Sequence, residues 1–150
     1  MPMVVGAHHT CFSVANMAAS LAFYRDLMGL RVISERPAVT SDYFRSIIAY
    51  PDAVVYAVLL QITGTSHLLE LLEYKVPRGI PQDVTRQNPG AAHVCFIVDD
   101  VKAMHAHLTA AGVEAISAPT YLDDGPNKGA WGCYLIDPDG QVVEIFQRPP

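Results

Sequence analysis

Two histidines and two glutamates carry the chemistry this sequence offers. His9 opens the segment His9-Thr10-Cys11-Phe12-Ser13-Val14, and His93 opens His93-Val94-Cys95-Phe96-Ile97-Val98. His, Cys, Phe and Val thus recur in four of six positions at a constant offset of 84, from 9 to 93. Glu70 stands inside Leu68-Leu69-Glu70-Leu71-Leu72, and Glu144 inside Val142-Val143-Glu144-Ile145-Phe146. A carboxylate in the middle of an apolar strand carries a desolvation cost of several kcal/mol unless it is neutralised, paired or bound to a cation. Two such carboxylates at matching places in a repeat, with two matching histidines, point to a shared partner, and one divalent metal ion supplies it. Two imidazoles and two carboxylates suit Zn, Ni, Co, Fe or Mn, with the remaining coordination positions open to water or substrate. Each residue alone has a bland explanation, a core or surface histidine or an edge-strand glutamate facing water. The agreement of all four with one repeat is what favours the metal.

The elements that must position these residues follow from periodicity. Strand alternation puts His9, Cys11 and Ser13 on one face and Thr10, Phe12 and Val14 on the other, and likewise groups His93, Cys95 and Ile97. It also turns the nearby competitors His8 and Glu73 away from the ligand face, and Cys11 and Cys95 are read as packing residues. After each hexamer comes a helical pattern. Asn16 is an N-cap before Met17, Leu21, Tyr24 and Met28, and Asp99 or Asp100 precedes Val101, Met104, Leu108 and Ala111. Gly29 and Gly112 stop the helices, and β-type runs follow at Leu30–Ser34 and Val113–Ser117. Further strands are expected at Val54–Ile62 and Leu68–Tyr74, and at Gly129–Ile136 and Val142–Gln147 across the turn Asp137-Pro138-Asp139-Gly140. The result is an α+β chain of two βαβββ modules, one over about 5–76 and one over about 90–148, joined by a proline-bearing linker over 77–89. Module one has an extra segment, Ser41–Ala49, where Tyr43, Phe44, Ile47 and Ile48 have helical spacing, and this predicts a short helix that lines or covers a pocket.

Bulk properties narrow the function. Of the 150 residues, 51% are hydrophobic and 17% charged, which is enough apolar material for a buried core. The net charge of -5 and the lack of a Lys/Arg cluster argue against nucleic acid as a partner. Apolar runs are far shorter than the roughly 20 residues of a membrane span, and no basic segment precedes an apolar one at the N-terminus. Three cysteines within apolar segments do not form a disulfide framework. A cytoplasmic protein acting on a small molecule is expected.

The chain resembles the vicinal oxygen chelate superfamily, the glyoxalase, bleomycin resistance protein and dioxygenase group. The resemblance lies in His9–Val14 leading to Phe23-Tyr24-Arg25-Asp26-Leu27-Met28-Gly29-Leu30, in Leu69-Glu70-Leu71, in Gly90-Ala91-Ala92-His93-Val94 with Asp99-Asp100-Val101, and in Asp137-Pro138-Asp139-Gly140 leading to Glu144. It implies two βαβββ modules forming a cup-shaped mixed sheet around a metal, with ligands His9, Glu70, His93 and Glu144 from the first and last strands of each module. This ligand set looks like that of glyoxalase I. The resemblance also implies modules paired within one chain or across a homodimer. Its common chemistry chelates a substrate through two adjacent oxygens and stabilises an enolate or oxyanion, with Glu144 or Glu70 as general base.

Candidate substrate contacts are less specific. Arg45 and Lys128 are weighed as anion contacts against a solvated surface role. Tyr43, Phe44, Tyr56 and Trp131 are weighed as an apolar wall against ordinary packing. The helix expected near 40–50, and the lack of a basic set for glutathione carboxylates, suggest a substrate bulkier or more apolar than a glutathione hemithioacetal. A metal-dependent lyase or isomerase is therefore expected, with an iron-dependent extradiol-type dioxygenase and a non-catalytic drug- or metabolite-binding protein as the alternatives.

Overall fold

A computed structural model describes all 150 residues, which divide into two compact units, Met1–Pro81 and Gln82–Pro150. The division falls inside the proline-bearing segment 77–89. The first unit runs β1 (His9–Ser13), α1 (Met17–Leu21), β2 (Arg31–Val39), α2 (Asp42–Ile48), β3 (Val54–Gln61) and β4 (Leu68–Val76). The second runs β5 (His93–Ile97), α3 (Val101–Ala110), β6 (Thr120–Tyr121), β7 (Trp131–Ile136) and β8 (Val142–Gln147). Each unit folds its strands into one four-stranded sheet, in the order β1-β4-β3-β2 and β5-β8-β7-β6. In both, the first strand lies parallel to the last and the remaining pairs are antiparallel. This is the repeated α+β unit expected from the 84-residue offset. No helix is long and apolar enough to cross a membrane.

The helix starts follow the local sequence. The Asn16 side chain accepts from the backbone N–H of Ala19 at 3.2 Å, and Asp100 accepts from Ala103 at 2.9 Å, which satisfies a donor that a helix start otherwise leaves orphaned. Beyond Leu21 the first helix widens into a π-type turn over Ala22–Leu27. Gly29 and Gly112 follow the helices with φ of 77° and 88°, a left-handed conformation in which a side chain is strained. A second pair of contacts ties each helix to the strand that carries Glu70 or Glu144. Three residues after Glu70, Glu73 accepts the backbone N–H of Met17 at 3.2 Å, and three residues after Glu144, Gln147 accepts that of Val101 at 3.1 Å. Both contacts obey the repeat, since Met17 and Val101 are themselves 84 apart. Phe12, Val14, Met17, Leu21, Tyr24, Leu69 and Leu71 are buried in the first unit, and Phe96, Val101, Leu108, Val143 and Ile145 in the second.

Three expectations need revision. Val113–Ser117 does not form a strand: it makes an isolated bridge from Ala115 to Leu135, and the fourth strand of that sheet is the two-residue β6. Pro119 interrupts the segment and has no N–H to donate to a ladder. Conversely, β2 extends to Val39 through Pro37, which an edge strand with two register shifts tolerates. Cys11 and Cys95 are exposed rather than packed, while Cys133 is buried.

Candidate metal centre

Strand register decides which side chains share a face with the candidate ligands. In the first sheet Cys11 is the partner of Glu70 and His9 that of Leu68, while Leu59 faces Glu70 from β3. In the second, Cys95 and Tyr134 are the partners of Glu144. Parallel pairing of the outer strands therefore brings each histidine to its own glutamate. His9 Nε2 lies 3.4 Å from Glu70 Oε2, and His93 Nε2 lies 3.2 Å from Glu144 Oε2. The two carboxylates are shielded to nearly the same degree, 19% and 21% exposed, and the two imidazoles are more open at 38% and 43%.

These distances fit metal ligands better than tight ion pairs. Charge-assisted N–H···O contacts close to about 2.7–2.9 Å. Two ligands about 2.0–2.2 Å from one ion, at octahedral or tetrahedral angles, stand about 2.9–3.4 Å apart. Both pairs fall at the upper end of that window, so the donor set suits a first-row divalent ion. Each module on its own brings together one histidine and one glutamate, and in neither does a group of three or more His, Cys, Asp or Glu side chains gather.

The thiols are held protonated by their position. Burial among surrounding protein atoms, then the charge of Glu70 and a hydrogen bond to it, push the Cys11 thiol up to about 12, although water still reaches the residue. The same causes, with Glu144 in place of Glu70, push Cys95 up to about 12. Each thiol thus donates to the neighbouring glutamate. Tyr134 stands against the His93 ring at a centroid distance of 5.3 Å, and burial, then Glu144, raise its hydroxyl above the ordinary range. Gly132, two residues earlier on the same face, packs close to the carboxylate: a Cβ there would lie 3.6 Å from both Glu144 Oε1 and Phe146 Cδ2, ordinary contact distances.

The helix α2 forms where the spacing of Tyr43, Phe44, Ile47 and Ile48 predicts one, and it lies on the Glu70 face. Phe44 and Ile48, like Ala57 and Tyr74, pack against the cluster of Ala53, Val55 and Leu72, covering that end of the sheet. The other proposed substrate contacts are placed differently. Tyr56 is the cross-strand partner of Glu73, opposite in phase to Glu70, and its hydroxyl donates to Glu35. Trp131 is likewise out of phase with Glu144, and the Lys102 ammonium sits 3.8 Å above its ring. Strand alternation removes both from the ligand face. Arg45 donates through Nε to the Ala53 carbonyl at 3.0 Å and so anchors the end of α2. Tyr43 is exposed and accepts from Arg36 at 3.0 Å, and Lys128 is exposed in the 122–130 loop. Phe44 alone of the six contributes to the ligand face. Sequence reasoning missed Tyr74, Gly132 and Tyr134. Tyr74 was accessible by counting four residues from Glu70, whereas Gly132 and Tyr134 required the β7–β8 register.

Comparison with known proteins agrees with this architecture. Residues 6–145 match the Glyoxalase/Bleomycin resistance protein/Dioxygenase superfamily. A 2-epi-5-epi-valiolone epimerase from Actinomyces is 26% identical over 152 residues, covering 99% of this chain and 82% of that protein. The lactoylglutathione lyase of Schizosaccharomyces pombe is 27% identical over 148 residues, and this chain spans 47% of its length. A glyoxalase family protein from Bacillus cereus has the same fold, with a TM-score of 0.85 at 16% identity over 99% of this chain and 97% of that one. The chain belongs to the Glyoxalase/Bleomycin resistance protein/Dioxygenase superfamily.

Proposed function

We propose that this chain is a metal-dependent lyase or isomerase of glyoxalase type, in which His9, Glu70, His93 and Glu144 hold one divalent ion that a small substrate chelates through two adjacent oxygens. The observation that carries the reading is the repetition of one His–Glu geometry, 3.4 Å and 3.2 Å, in two modules related by sequence. When bound, such an ion stabilises negative charge on a substrate oxygen and so lowers the barrier to removing a proton from the adjacent carbon.

The chain's own residues handle the proton. Glu144 or Glu70 takes it at a carboxylate oxygen, partly shielded from water, which strengthens its interactions with charge nearby. Cys95 and Cys11 donate to these carboxylates and orient them. Gly132 brings no side chain against Glu144, and the His93 ring, paired with Tyr134, stands beside it. Phe44 and Tyr74 supply apolar surface over Val55 and Leu72 on the Glu70 face, and Tyr74 is near enough for the Glu70 charge to act on its hydroxyl. The lyase and the epimerase among the relatives both fit proton transfer next to a carbonyl. The reading includes a cytoplasmic homodimer and an ion drawn from Zn, Ni, Co, Fe and Mn. A ring-cleaving dioxygenase would need only two histidines and one carboxylate around iron, and the matched second glutamate favours the first reading.

The test is turnover by protein reconstituted separately with each ion, on a panel of 2-oxoaldehyde–thiol adducts, acyl-CoA esters, cyclic ketones and catechols. Proton transfer or isomerisation of a carbonyl compound, abolished by chelator, is expected. Oxygen uptake with catechols by the iron form alone would replace this reading with the dioxygenase, and tight stoichiometric binding with no turnover would replace it with a binding protein.

A further inference from the structure

The imidazole of His9 uses both of its nitrogens. Nε2 points to Glu70, and Nδ1 lies 2.8 Å from Nδ1 of His8, the two rings meeting edge-on at 85° with centroids 5.1 Å apart. Strand alternation does not govern His8, because β1 begins at His9 and the residue before it is free to fold its ring back. Two Nδ1 atoms at this distance share one hydrogen, so one ring donates and the other accepts.

A metal-ligating imidazole is held in place by a partner on its remote nitrogen, commonly a carboxylate or carbonyl, which can only accept. An imidazole partner can do either. With no ion, the His9 hydrogen can sit on Nε2 toward Glu70 while Nδ1 accepts from His8. With Nε2 engaged by an ion, the His9 hydrogen must sit on Nδ1 and His8 accepts it. The second module lacks this arrangement. Ala92 stands at the offset of 84 from His8, and the His93 ring rests against Tyr134 instead.

We propose that His8 is a positioning residue for His9, a reversible donor and acceptor that keeps Nε2 beside Glu70 with or without an ion, and that this support exists in the first module alone. The inference rests on the ligand assignment proposed above. Its test is a competition titration of zinc against a chromophoric chelator with wild type, His8→Phe, His8→Asn and His9→Ala, alongside long-range ¹⁵N spectra of the imidazoles without and with zinc. His8→Phe, which keeps ring bulk but cannot hydrogen-bond, is expected to bind zinc about 10- to 100-fold more weakly. His8→Asn, whose amide can donate or accept, is expected to recover most of that loss. In wild type the His9 hydrogen moves from Nε2 to Nδ1 on adding zinc, and in His8→Phe the zinc-free Nδ1 shows the shift of a nitrogen that accepts no hydrogen bond. Wild-type affinity and a wild-type zinc-free spectrum in His8→Phe would overturn the inference. Unchanged affinity in His9→Ala would instead overturn the ligand assignment, and with it the inference.

Discussion

Replacing Glu73 tests how the strand that carries Glu70 is fixed to the helix behind it. Its side chain is 10% exposed, one oxygen accepts the Met17 N–H at 3.2 Å, and the other receives the Lys75 ammonium. Glu73→Leu removes the acceptor and leaves a buried backbone N–H without a partner. Such an orphan costs about 1–3 kcal/mol, and the lost helix cap it overlaps with about 1 kcal/mol, so a loss of about 2–3 kcal/mol is expected. Glu73→Gln keeps an oxygen for Met17, the arrangement that Gln147 already provides for Val101 at 3.1 Å. Only the pairing with Lys75 is lost, and because that ammonium is 40% exposed the change is at most about 1 kcal/mol. Urea unfolding followed by circular dichroism reads both variants. With a slope of about 2 kcal/mol per molar urea, Glu73→Leu shifts the midpoint down by roughly 1–1.5 M at unchanged slope, while Glu73→Gln shifts it by at most about 0.5 M. Equal midpoints for the two variants would refute the capping argument, because it requires the oxygen and not the charge.

Other outcomes follow from the same geometry. Glu144→Gln and Glu70→Gln keep side-chain volume but remove a base and a negative ligand; in metal-loaded protein the variant lacking the base is expected to lose turnover by at least about 100-fold, read as kcat against KM. Gly132→Ala places a methyl 3.6 Å from Glu144 Oε1 and Phe146 Cδ2, ordinary contacts, so the thermal midpoint should hold within about 2 °C. Cys11 and Cys95, raised from 9.0 to about 12, carry about a thousandfold fewer thiolates at pH 8 than ordinary cysteines. Their alkylation in metal-free protein should be slow and should accelerate about tenfold per pH unit toward pH 11, and Glu70→Gln should speed labelling of Cys11. Adding zinc to about 100 times its Kd should stabilise the protein by about 2.7 kcal/mol, read as a chelator-reversible rise in the thermal midpoint.

The repeat made the architecture legible because both halves bury equivalent residues for equivalent reasons. Asn16 and Asp100 cap their helices, and His9 meets Glu70 as His93 meets Glu144 because parallel pairing of outer strands was copied along with the sequence. The α2 helix was legible from the spacing of its apolar residues. The failures have a common cause, since register and phase between distant strands are tertiary properties. Tyr56 and Trp131 look like substrate-facing aromatics in a linear reading, yet each is out of phase with its neighbouring glutamate strand. Cys11 and Cys95 resemble core residues by composition but share the exposed phase of His9 and His93. Arg45 is engaged by a carbonyl eight residues away, a contact no spacing rule announces. His8 was assigned to the opposite face because alternation was extended one residue past the strand's start.

The most direct test of the central claim is elemental analysis of wild type, His9→Ala and Glu144→Ala, each purified without chelator and confirmed folded. One divalent ion per chain is predicted for wild type, with loss from both variants, because each removes one of the four proposed ligands. Two ions per chain, or an ion retained at full occupancy after one module's pair is broken, would contradict a single four-ligand centre.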